Sequence, residues 1–151
     1  MLRRREVQDF LKLLPDPAAT LAGIDIIILD RGSPEAIGWY REGEVGLCAW
    51  RVASGLWHET EPEWIEENRA ILDRLGVEHE WADGRVGLLW TEPQARAYML
   101  LHVLLHELGH HHDQLSTRSR RAPARGERFA DDYAADLLTA VWPAYAERFG
   151  V

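Results

Sequence analysis

Apolar and polar positions alternate along this chain with two rhythms, one helical and one extended, and the switches between them mark its elements. Val7, Phe10, Leu11 and Leu14 fall on one helical face, and Pro15 and Pro17 stop that helix. "IDIIIL", residues 24–29, is a β-branched run that reads as a buried strand. "AIGWYREGEVGLCAW", residues 36–50, reads as a hairpin turning at Glu42 and Gly43. Thr60 followed by Glu63 forms a capping-box pattern with Pro62 in the first turn, which predicts a helix from about Glu61 to Leu75 that Gly76 ends. Asp83-Gly84 between "VEHEW" and "RVGLLW" predicts a tight hairpin. A second box, Thr91 with Gln94 around Pro93, starts a long helix carrying "ARAYMLLHVLLHELGHHHDQL". Residues 116–126 are polar and basic. "ERFADDYAADLLTAVW" then reads as a last helix, interrupted near Pro143.

Strands and helices are thus partly segregated. The order predicts an α+β fold with a small, mostly antiparallel sheet packed on helices, in which one pairing can be parallel. At 151 residues the chain suits one domain. The 46% apolar and 28% charged fractions are ordinary for a globular protein, and its seven tryptophans default to the core.

Charge and cysteine usage then narrow the function. A net charge of −8 works against nucleic acid as a partner, because phosphates are repelled overall. The single cysteine, Cys48, excludes an internal disulfide and any multi-cysteine zinc site. The start, "MLRRREVQDFLKLL", lacks the apolar run of a signal peptide, and the longest uncharged run, Ala97 to His106, is too short for a bilayer. A cytoplasmic protein with no membrane association is expected.

The chemistry is concentrated in "LLHELGHHHDQ", residues 104–114. His106 and His110 stand one helical turn apart on the same side, so both imidazoles can reach one ion. Glu107 lies beside them in the order H-E-x-x-H. This is the zincin arrangement, in which the glutamate is the general base. Catalytic zinc requires a third protein ligand. A histidine six residues after His110 would supply it in the extended motif, but Ser116 occupies that position. Glu127, seventeen residues after His110, opens the next predicted helix, and Asp131 follows four residues later on the same face. In this E-x-x-x-D pattern the glutamate ligates the metal and the aspartate orients a ligand histidine. Asp113 is the rival third ligand, with a loop-capping role as its other reading.

The neighbours have plainer readings. His102, one turn before His106, is either a cleft residue or a core histidine. His111 and His112 are expected to face solvent or the following loop, and either of them, or Tyr133, is a candidate oxyanion donor. Asp132 and Asp136 read as solvated helix charges. Gly109 reads as small to admit close packing near the metal. The arginines of 116–126 can attract an acidic partner, although such loops are usually only solvated.

"HELGH" followed within about twenty residues by E-x-x-A-D-x-x-A, here Glu127 to Ala134, resembles the gluzincin metallopeptidases, specifically the small ImmA/IrrE-like group and the minigluzincins. The resemblance covers roughly Thr91 to Leu138. It implies a zincin-like metallopeptidase domain with His106, His110 and Glu127 binding Zn2+, Glu107 as the general base and Asp131 behind a ligand. It also implies a small sheet above the active-site helix whose exposed edge binds an extended peptide or protein substrate, and "GRVGLLW" is the edge expected here. The chain ends soon after the glutamate helix, so most of a larger gluzincin's cleft has no counterpart. The alternative is a zincin-fold metal-binding interaction protein with little or no turnover.

Overall fold

The computed structural model describes residues 2–31, 36–48, 57–117 and 125–150. Its elements run α1 (Arg4–Leu11), α2 (Pro17–Thr20), β1 (Ile26–Asp30), β2 (Gly38–Arg41), β3 (Glu44–Cys48), β4 (Trp57–Thr60), α3 (Pro62–Leu75), β5 (Glu78–Ala82) and β6 (Arg85–Leu89). A continuous helical path follows: α4 (Glu92–Tyr98), a π-helical stretch (Met99–Leu104) and α5 (Leu105–Ser116). The last helix is α6 (Glu127–Phe149). The fold is α+β, with small antiparallel and mixed sheets.

Strands form two three-stranded sheets, ordered β1-β3-β2 and β4-β6-β5. β1 runs parallel to β3, from Ile26 opposite Glu44 to Asp30 opposite Cys48, and β2 runs antiparallel to β3. The second sheet is antiparallel throughout. The turns form where the sequence predicts them. Asp83 and Gly84 both take positive φ, as a two-residue hairpin loop of this hand requires. In the central strands, Val45, Leu47, Val86 and Leu88 are buried. Trp39 lies across Gly46, its cross-strand partner, so closely that a Cβ on Gly46 would stand 2.0 Å from the indole. The glycine is a seat for the ring.

The apolar run through the π stretch forms the core. Tyr98, Met99, Leu100, Leu101, Val103, Leu104, Leu105 and Leu108 are all buried, as a helix apolar on nearly every side must be. Burial of each large side chain contributes about 1.5–3 kcal/mol. Val7, Phe10 and Leu14 close one end of the core, where Phe10 meets Tyr145 edge-on.

Several expectations are corrected. "IDIIIL" is not a buried strand: among the described residues β1 lies at a sheet edge, and Ile26 and Leu29 are exposed. Pro17 stops nothing; it opens α2, which Asp16 caps. The Thr60 box does not form, because Thr60 stays in β4 opposite Val86 and Glu61 becomes the N-cap. The Thr91–Gln94 box does form. The long helix is not uniformly α, because residues 99–104 are wound as π-helix. α6 runs through Pro143 without a break: Val141 and Tyr145, on either side of it, are buried, and this packing outweighs the lost backbone bond. Trp90 is buried as expected, but Trp81 is exposed. Most decisively, "GRVGLLW" is no edge. β6 lies between β4 and β5.

α5 and α6 meet at Gly109. A Cβ there would lie 2.7 Å from Ala130 Cα and 2.8 Å from its carbonyl oxygen, both of them backbone atoms that cannot rotate aside. Gly109→Ala should therefore cost about 1–3 kcal/mol of overpacking, reduced by up to about 1 kcal/mol of gained helix propensity. Urea unfolding should show a lower midpoint with an unchanged slope. An unchanged midpoint would mean that the helices separate freely.

Candidate metal centre

α5 carries both motif histidines on its first two turns, and α6 begins at the glutamate. His106 Nε2 and His110 Nε2 are 3.0 Å apart, and Glu127 Oε2 lies 3.2 Å from the first and 3.5 Å from the second. His106, His110 and Glu127 thus form a group that can hold a metal ion. Among the described residues no other three His, Cys, Asp or Glu side chains converge in this way.

The donor chemistry fits zinc. Ligands held at about 2.0–2.2 Å in a tetrahedron stand roughly 3.3–3.6 Å from one another; the two Glu127 separations are close to this, and the 3.0 Å between the histidines is somewhat shorter. His106 Nδ1 lies 2.9 Å from Asp131 Oδ1. A proton on Nδ1, donated to that carboxylate, fixes the tautomer and leaves the Nε2 lone pair for the cluster. Two imidazoles and one carboxylate suit zinc in both geometry and ligand type.

Glu107 is only 7% exposed. Burial pushes its carboxyl up to about 7, with His106 drawing it down and the Glu127 charge adding to the rise. A group of that pKa exchanges protons readily at neutral pH. β2 seals it from above. A Cβ on Gly38 would stand 2.5 Å from Val103 Cγ1 and 2.7 Å from Glu107 Oε1, so only glycine lets the strand pass this close. The sheet edge nearest the site is therefore β2, which pairs with β3 alone among the described residues.

The remaining sequence candidates separate cleanly. Asp113, the rival ligand, is turned away from the cluster: its Oδ1 accepts from Arg125 Nε at 2.7 Å and its Oδ2 from the Gly126 N–H at 3.0 Å. That is the loop-capping role. His111 does not face solvent but is buried; its Nε2–H donates to the Ala22 carbonyl at 2.8 Å. His112 is exposed and stacks on Tyr133 and Phe129. Tyr133 is hydrogen-bonded to Thr20. Of the three candidate oxyanion donors, His111 and Tyr133 are thus hydrogen-bonded elsewhere. His102 packs at a tilt against Tyr98, and its ring centroid is 6.4 Å from that of His106. Burial, helped by His106, lowers it to about 4, so it is neutral at pH 7. It also lines a groove of about 680 Å³ alongside Glu127, Asp131 and Asp132. Asp136 is exposed, as expected. Arg118, Arg120 and Arg121 lie outside the described residues, so the expected role of the basic loop is tested only at Arg125.

Two contributors escaped sequence reading. Gly38 had a usable signal, a glycine inside a strand pattern, which often marks close approach of another chain segment. Tyr40 had none. Its hydroxyl donates to Gln114 Oε1 at 2.6 Å and lies 3.2 Å from His111 Nδ1, pinning β2 to α5 across some seventy residues of sequence.

No protein-family model, curated protein or solved structure matches the chain. The assignment therefore rests on geometry, and it can be checked by metal content. Wild type should bind one zinc per chain, Glu127→Ala should lose most of its affinity, and Asp131→Asn should bind about 10–100-fold more weakly in competition with a chromogenic chelator. Wild-type affinity in Glu127→Ala would remove that residue from the ligand set.

Proposed function

We propose that this chain is a zinc-dependent metallopeptidase that hydrolyses a peptide bond in a peptide or a specific protein. One observation carries the reading: a buried carboxylate, Glu107, stands beside three donors that converge closely enough to share one metal ion. A purely structural metal site has no need of such a base. Bound zinc would polarise the scissile carbonyl and acidify the attacking water. Glu107 accepts a proton from that water and returns it to the leaving amine nitrogen, so that no strong base or amide anion is released. Asp131 keeps His106 in the ligating tautomer. Among the described residues β2 pairs with no strand on its outer side, and an extended substrate can add there as a further strand. At Gly38 the face of β2 packs over Glu107, which keeps the strand close to the site. Asp25, Asp30 and Glu42 add negative charge around the first sheet, while Arg41 on β2 supplies a counter-charge.

The test is a peptide library derived from whole-cell protein, incubated with zinc-loaded protein and read by mass spectrometry for new termini. Wild type should cleave. Glu107→Gln should retain its zinc while losing about 10²–10⁴-fold in rate, and chelation should abolish cleavage in wild type. Zinc binding by wild type with no cleavage of peptides or folded proteins would instead support the metal-binding interaction protein.

A further inference from the structure

Glu127 is an unpromising ligand by position. It is the first residue of α6, follows directly on the loop, and is 79% exposed on its side chain. A free glutamate of that kind would lose backbone and side-chain freedom on binding and hold metal weakly. Something must fix it beforehand.

The neighbouring contacts identify that element. Asp113 is 1% exposed and lies in the last turn of α5, where a carboxylate opposes that helix's own dipole. Its acceptors are spent on the two residues immediately preceding Glu127. Arg125 Nε donates to one oxygen at 2.7 Å, and the Gly126 N–H donates to the other at 3.0 Å. Gly126, the N-cap of α6, offers no side chain for capping and takes φ 78°, ψ −155°, a conformation essentially confined to glycine. Arg125 is held further by Ser116 Oγ, and its guanidinium lies 3.6 Å from the centroid of the Phe129 ring one turn into α6. Thr117 Oγ1 donates to the Asp113 carbonyl at 2.8 Å, securing the other side.

We propose that Asp113 is a positioning residue for the metal centre: by gripping Arg125 and the Gly126 N–H it fixes the start of α6, and so presents Glu127 to His106 and His110. It does this without touching the ion. The inference rests on the reading of those three residues as ligands, and its test keeps the two apart.

Zinc affinity is measured by chelator competition in wild type, Asp113→Ala, Asp113→Asn, Glu127→Ala and the double variant Asp113→Asn/Glu127→Ala, with folding followed by far-ultraviolet circular dichroism. Asp113→Asn should bind zinc about 10–100-fold more weakly than wild type, the range typical of residues that orient a ligand. In the Glu127→Ala background the same substitution should change affinity by less than about twofold, because Asp113 acts only through the glutamate. A general loosening of the fold would weaken binding equally in both backgrounds, and that result overturns the proposal. So does wild-type affinity in Asp113→Asn. If the Asp113 variants do not fold, Arg125→Gln, which removes one half of the grip at an exposed side chain, should weaken zinc several-fold, again only when Glu127 is present; no change there overturns the proposal. If wild type itself binds no zinc, or Glu127→Ala binds as tightly as wild type, the ligand assignment fails first and takes the positioning role with it.

Discussion

At Gly109 the backbone of α5 approaches Ala130 so closely that not even a methyl group fits between them. This contact sets the spacing of the last two helices, and that spacing decides whether a carboxylate on one can share an ion with imidazoles on the other. A glutamate side chain is too short to compensate for helices held a side chain's width further apart. The glycine inside HELGH thus has a steric purpose that outweighs its poor helix propensity. Around it, the apolar residues of the π stretch and α5 anchor one partner in the core, while Ala130, Ala134 and Val141 anchor the other. The polar chemistry is carried on a rigid apolar support.

Much of this was legible in the sequence because it depends on short spacings. The i, i+4 relation of His106 and His110 and that of Glu127 and Asp131 each follow from helical geometry alone. Once both segments were read as helices, only their mutual placement remained open. The Thr91–Gln94 box and the Asp83-Gly84 turn are likewise local, and both form. What could not be read was long-range. Whether a strand lies at the centre or the edge of a sheet depends on which segments pair with it, so β6 and β1 exchanged their expected roles. Thr60 lost its capping role to strand pairing for the same reason. His111 looked like a surface residue because its partners, Tyr40 and Ala22, are remote in sequence.

The site also divides its labour between buried and exposed groups. Glu107 and Asp113 are both buried acids within seven residues of each other on one helix, yet their environments are opposite. Burial among apolar neighbours raises the Glu107 carboxyl, and His106 draws it only partly back. Around Asp113 burial acts in the same direction, but the Arg125 guanidinium and backbone donors prevail and hold it below the usual carboxylate range. The same side-chain chemistry is thereby made fit for proton transfer at one position and for permanent charge at the other.

The winding of residues 99–104 has its own consequence for how this helix can vary. A π stretch accommodates one residue more than an α-helix does over the same path, and such stretches commonly arise by insertion of a residue. Winding residues 99–104 as α-helix with no residue removed would rotate everything beyond them by about 100° relative to α4, whereas removing one residue as the winding changes would leave that orientation nearly as it is. In the first case His106 and His110 would swing off the side facing α6, although neither had been altered. A chain one residue shorter here can therefore keep its imidazoles in place, provided that it winds as a regular α-helix.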